Sequence, residues 1–182
     1  MCHILLQEPK FFSILLLIDR ELANQCQAQG CQCGGVLHKS HYPRKPRGCP
    51  AEVRSDFESR FSFCCNICRK RSTAISVRFL GPRVYLALAV VLMPGRPPAG
   101  PTSTQMQLSA ILGVPVRTLL RWKSWWTETF PMTRLWQAEC ARFVLPVTPS
   151  ALPASLIERF SGTTAESIVW LLVFLSPLSA RQ

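Results

Sequence analysis

Acidic side chains are scarce. The 182 residues hold ten Asp and Glu against twenty-one Lys and Arg, a formal net charge of +11. A DNA-cutting enzyme of the transposase or integrase type needs two or three convergent carboxylates to hold its metal ions. Here the ten are scattered, with no strand-rich region around them. Long apolar runs are missing as well. "FFSILLLI" (residues 11–18), "VYLALAVVLM" (84–93) and "SIVWLLVFL" (167–175) all fall short of the roughly 20 residues a membrane span requires. The first follows Lys10 in the manner of a secretory core. However, Asp19, Arg20 and Glu21 come directly after it, and no small-residue cleavage site is well placed. It reads as a buried strand or short helix. No glycine loop is built for phosphate, no Ser/His/Asp or Cys/His constellation has supporting context, and no heptad seam offers a dimer. The expectation is a non-catalytic, cytoplasmic protein.

The basic surplus is uneven. Residues 38–83 carry eleven Lys and Arg against Glu52, Asp56 and Glu58, a local net of +8. Because cation–phosphate contacts dominate nucleic-acid affinity, such a surplus points to a polyanionic partner, double-stranded DNA first.

Fifteen prolines and nine glycines break the chain into short elements. The expected fold class is α+β, mainly α. A small zinc ribbon of short β hairpins comes first, then a tri-helical helix-turn-helix, then C-terminal helices. The expected divisions are a lead-in at 1–25, the ribbon with its basic loop at 26–80, the helix-turn-helix at 81–130 and a helical extension at 131–182. Residues 94–104, "PGRPPAGPTST", read as a loop. Helical patterns are expected over 105–130, 133–143, 153–160 and 164–175. The last of these is either an interface or the final layer of the core.

Eight of the nine cysteines precede Thr73, and six form two clusters: Cys26, Cys31 and Cys33, then Cys64, Cys65 and Cys68. Two tight clusters about thirty residues apart resemble a zinc ribbon, since Zn²⁺ takes four ligands in a tetrahedron and two short knuckles deliver two thiolates each. Cys65-Asn-Ile-Cys68 has the standard two-residue gap. Gly34 and Gly35 after Cys33 allow the backbone to turn and offer amides to sulfur. The expected ligands are Cys31, Cys33, Cys65 and Cys68, with Cys26 as a substitute, and His38 or His41 able to replace a cysteine. Cys2 and Cys140 read as ordinary thiols. A disulfide framework would need an oxidising compartment and would leave cysteines over.

"HYPRKPRG" (residues 41–48) alternates aromatic, proline and cation. Pro43 and Pro46 stiffen the loop, so Arg44, Lys45 and Arg47 suit phosphate contact. Arg69, Lys70 and Arg71 follow the last ribbon cysteine.

"QLSAILGVPVRTLLRW" (residues 107–122) has the form of a helix-turn-helix. Leu108, Ile111 and Leu112 give a short amphipathic helix, Gly113 permits a positive φ, and Val114 plugs the angle. The second helix starts near Pro115, with Val116, Leu119, Leu120 and Trp126 as its apolar stripe. Arg117, Thr118, Arg121 and Ser124 form the opposite face, with Lys123 at its edge. These are the candidate DNA-reading residues. Residues 81–93 would supply the first helix of the tri-helical unit.

The strings "CGGVLHKSHYPRKPRG", "RFSFCC…CRKRST…SVRFLG.RVYL" and "LGVPVRTLLRWKSWW" resemble a family of short uncharacterised bacterial proteins. These combine a zinc ribbon with a helix-turn-helix and occur near mobile elements. The resemblance covers roughly residues 26–160 and extends to the DNA-recognition end of insertion-sequence transposases without their catalytic domain. It implies Zn²⁺, double-stranded DNA and a role as a transposon accessory factor or small regulator. Two rivals stand beside it. One is a zinc-stapled adaptor docking on a recombinase or transposase through the apolar residues 151–178. The other is a truncated transposase fragment.

Overall fold

The computed structural model describes residues 2–46, 49, 51–80, 86–92 and 103–179. The chain is mainly helical, with two small antiparallel sheets near its N-terminal end.

The apolar octet belongs to a long helix, α1 (Pro9–Gln29), which opens on proline and stops before Gly30 at φ 71°. A continuous apolar run has no period of its own. The leucine, glutamines and alanines that follow favour helix and carry it on for three more turns. Phe11, Phe12, Leu15, Leu16, Asp19 and Ala23 lie on its buried face. α1 therefore runs across the 25/26 division expected from composition, and Cys26 sits within it.

Strands β1 (Leu37–Lys39), β4 (Ser62–Cys65) and β5 (Arg71–Thr73) form a three-stranded sheet in the order β1-β4-β5. Its register pairs His38 with Cys64 and Cys64 with Arg71. β2 (Tyr42–Pro43) and β3 (Ser59–Arg60) make a second, two-stranded sheet, and the one-turn helix α2 (Arg54–Phe57) leads into β3. Successive strand residues face opposite ways. Leu37, Phe63 and Cys65 thus turn to one side, where they form a small cluster with Ala23 of α1 and Ala74. Cys26, Cys31, Phe61 and Cys68 pack at its margin.

The main core joins α1 to α3 (Ala87–Val91), α4 (Ser103–Leu112), α5 (Val116–Ser124), α7 (Ala154–Ile157) and α8 (Thr164–Leu175). All five residues of α3 are buried, and Trp126 donates its indole N–H to the Val90 carbonyl at 2.9 Å. α5 continues as a π-helical turn, Trp125–Thr129. From there a relay of rings runs through Trp126, Phe130 and Trp136, with centroids 5.0 and 5.2 Å apart. Trp136 belongs to α6 (Arg134–Glu139), which Thr133 caps through its side chain. α8 opens with a capping box between Thr163 and Glu166. Its Ile168, Leu171, Leu172 and Leu175 complete the core, while Trp170 is 56% exposed.

Part of the sequence reading lies outside the described residues: Arg47, residues 81–85 and 93 of the expected first helix, and residues 94–102 of the expected loop. Ser103 and Thr104, placed in that loop by composition, belong to α4.

Candidate metal centre and basic helix face

Four sulfurs converge at one end of the three-stranded sheet. The Sγ atoms of Cys31, Cys33, Cys65 and Cys68 all lie within 4.8 Å of one another, and the Cys31–Cys68 and Cys33–Cys65 pairs are 3.5 Å apart. A tetrahedral ion with sulfur at about 2.3 Å would space its ligands by roughly 3.8 Å, so the four thiols are placed to hold one metal ion.

Two local turns produce this arrangement. In the first, the Gly34 amide donates to the Cys31 carbonyl at 2.8 Å and the Cys31 amide to Gly35 at 3.0 Å. Gly34 takes φ 80°, which glycine adopts freely. Gly35 is required for space: a Cβ there would lie 2.4 Å from the Cys65 sulfur and 2.9 Å from Asn66 Oδ1. The tight Cys31-x-Cys33 spacing is accommodated by this reversal. In the second turn the Ile67 amide donates to Cys65 Sγ at 3.4 Å, and the Cys65 amide reaches the Lys70 carbonyl at 3.1 Å. Asn66 stitches the turns together, accepting from the Val36 amide at 2.8 Å and donating its own amide to Val36 at 3.0 Å.

The electrostatics favour thiolate at two of the four sulfurs, Cys65 and Cys33, whereas Cys31, although lowered by the Cys33 amide, is pushed up to about 12 by hydrogen bonds to the neighbouring thiols. Burial raises the Cys65 thiol, but the amides of Cys68 and Ile67 and the neighbouring thiols outweigh it and bring it down to about 6. The Gly35 amide lowers Cys33. Cys26 stands apart from the four: it is half-buried in α1, burial raises its thiol, and it is not a fourth-ligand substitute in this arrangement. Nor do the histidines join. The His41 imidazole bonds the Ser62 backbone through Nδ1, and His38 is exposed on β1.

The basic residues around this centre divide in two. Arg60 and Arg78 are buried and serve the interior, so the local excess of cations overstates the surface charge. Lys45, Arg69 and Lys70 are exposed. Arg44 lies 4.7 Å and Arg71 5.6 Å from the centre of the Tyr42 ring. Arg44 also donates to the Tyr42 hydroxyl at 3.1 Å, and Arg71 to Ser62 Oγ at 2.8 Å.

In the second candidate region α4 and α5 meet at Gly113, whose φ is 57°. The turn is closed by the Val114 amide to the Ser109 carbonyl at 3.1 Å and by Ser109 Oγ to the Val114 carbonyl at 2.7 Å. Leu108, Leu112, Val114, Leu119 and Trp122 are buried between the helices and the core. Four expectations are corrected here. Ile111 is exposed, so α4 buries Leu108 and Leu112 without it. Thr118 is only 4% exposed and does not face solvent, whereas Leu120, expected in the apolar stripe, is 46% exposed. Ser124 is half-buried and donates to Glu128 at 2.6 Å. At about 100° per residue, Thr118 lies four positions before Trp122 on its face, and Leu120 lies nearly opposite. The outward face of α5 is therefore Arg117, Leu120 and Arg121. Lys123 is half-buried, and desolvation lowers its ammonium pKa.

Among the described residues the ion pairs are Asp19–Arg78, Glu139–Arg142 and Glu158–Arg159. Arg44, Lys45, Arg69, Lys70, Arg71, Arg117 and Arg121 belong to none of them. Sequence reasoning missed the inward charges Asp19 and Arg78; an aspartate directly after an apolar octet was the available signal. No helix among the described residues is long and apolar enough to cross a membrane. No protein-family model matches the chain, and no curated protein or solved structure matches it either.

Proposed function

We propose that the protein is a non-catalytic, sequence-specific DNA-binding protein, a mobile-element accessory factor or small regulator. Cys31, Cys33, Cys65 and Cys68 hold a structural Zn²⁺, and α4 and α5 act as a helix-turn-helix with α3 behind them. The observation that carries this reading is the division of α5. One face is buried through Leu119 and Trp122, and the other presents Arg117 and Arg121 with no carboxylate partner. Guanidinium groups on an exposed helix face suit guanine edges in the major groove. The cations beside the metal centre, Arg44, Lys45, Arg69, Lys70 and Arg71, suit phosphate oxygens. A soft four-thiol donor set favours zinc over the hard cations.

Selection from random duplexes with the full chain tests the reading. Enrichment of one sequence is expected, with log affinity falling linearly as log salt rises. The adaptor reading is favoured by one observation, the exposed Trp170 on α8, an aromatic side chain of the kind that anchors protein interfaces. It predicts weak DNA binding indifferent to sequence.

A further inference from the structure

Leu120 is out of place as a core residue. It sits mid-helix on α5, 46% exposed, between Arg117 at i−3 and Arg121 at i+1. All three are exposed; Arg117 neighbours Leu120 on the helix surface, while Arg121 lies about 100° round from the leucine, beside Arg117. Thr118, buried on the core side, accepts a hydrogen bond from Arg121 Nη2 at 3.2 Å, which holds that guanidinium at the flank of the outward face remote from Leu120. Around this face the order is Leu120, Arg117, Arg121: an apolar group at one edge with two cations beside it, neither of which has an acidic partner. An apolar protein partner covering Leu120 would bury both guanidinium groups unpaired, at considerable cost. The DNA major groove instead offers acceptors for both cations. Beside them, wherever thymine occurs, it offers a methyl group that no other standard base carries.

We propose that Leu120 is a specificity-determining residue that packs on the 5-methyl group of a thymine next to the bases whose acceptors Arg117 and Arg121 read. This rests on the DNA-binding function proposed above. It assigns one chemical feature of the target, a thymine methyl, to one side chain.

Each thymine of the selected duplex is replaced in turn by deoxyuridine, which removes only the methyl, and affinity for the full chain is measured. The expected result is a loss of roughly fourfold at one position, the size of one buried methyl. Leu120→Ala should bind the thymine and uracil duplexes equally at that position, while Leu120→Met keeps the preference. Because Leu120 is outside the core, both variants should melt like the parent. No methyl-sensitive position, or a sensitivity that survives Leu120→Ala, overturns the inference and leaves DNA binding standing. Failure to enrich any sequence at the selection stage overturns both.

Discussion

Arg78 Nε lies 2.6 Å from Asp19 Oδ2, and neither side chain reaches solvent. The pair ties α1 to the segment that leaves the three-stranded sheet. Asp19 also accepts from the Val77 amide at 2.7 Å, while Arg78 donates to the Asp56 carbonyl and, at 3.2 Å, to that of Ser59. Nearby, buried Arg60 donates to the Ala74 carbonyl at 2.7 Å and to Ser179 Oγ at 3.2 Å. The sheet carrying the cysteines is thereby joined to the helical body by directional bonds between charged groups and backbone, and the apolar contacts fill the space around them.

Asp19→Ala should be among the most destabilising single substitutions in the chain. It leaves the Arg78 guanidinium buried without its counter-charge, and breaking such a pair costs about 3 to 5 kcal/mol. Urea unfolding should show the loss as a lower midpoint. Asp19→Leu combined with Arg78→Met, which removes both charges, should be less damaging than Asp19→Ala alone. If the double variant were the worse of the two, the pair would be contributing net stability beyond its own desolvation.

Gly35→Ala should weaken metal binding where Gly34→Ala does not. The new Cβ would meet Cys65 Sγ at 2.4 Å, so sulfur and backbone must separate. At Gly34 nothing lies within 4 Å, and the penalty is the left-handed backbone alone, about 1 to 2 kcal/mol. Chelator competition should show at least a tenfold gap in zinc affinity between the two variants. Equal affinities would mean that the turns do not close around an ion.

The two turns were legible because metal chemistry constrains spacing: Cys65-x-x-Cys68 and the paired glycines leave few alternatives. The helix pair was legible at Gly113 for a similar reason, since a positive φ has few tenants. The faces of α5 were read less well. Residue chemistry points Leu120 inward and Thr118 outward, although their spacing from Trp122 says the reverse. Period outranked chemistry because Trp122 and Leu119 anchor the helix and the other positions follow. α1 was hidden for a different reason: an unbroken apolar octet carries no period, and the helix's orientation shows only in which residues it buries, Phe11, Phe12, Leu15, Leu16, Asp19 and Ala23, with Ile14 and Leu17 left exposed.

The metal-free protein should show a low-pH thiol. Cys65, brought down to about 6 by amide and thiol hydrogen bonds, is ionised well below an ordinary cysteine. A depressed pKa means that the ionised form contributes stability above the unfolded value and loses that contribution as pH falls through about 6. In chelated protein, thiolate ultraviolet absorbance should therefore begin to disappear near that pH, and Cys65→Ser should abolish the step. With metal restored, the same thiolates should resist protonation to lower pH, because ion and protons compete for the same sulfurs.

Thr118 should act on DNA recognition without touching DNA. It is buried and holds Arg121 through a 3.2 Å hydrogen bond. Thr118→Val keeps the shape and removes the acceptor, so Arg121 regains rotamer freedom that binding must then restrict, at about 0.5 to 1.5 kcal/mol. The expected result is a loss of a few-fold to about tenfold in affinity for the selected duplex, with little change for unrelated sequences and an unchanged salt slope, since no phosphate contact is lost. Arg121→Ala should relax the preference further, and adding Thr118→Val to it should have no additional effect. That non-additivity separates the two roles of the threonine. A packing residue would weaken binding and stability in either background, whereas a residue that positions Arg121 has nothing left to position once the arginine is gone.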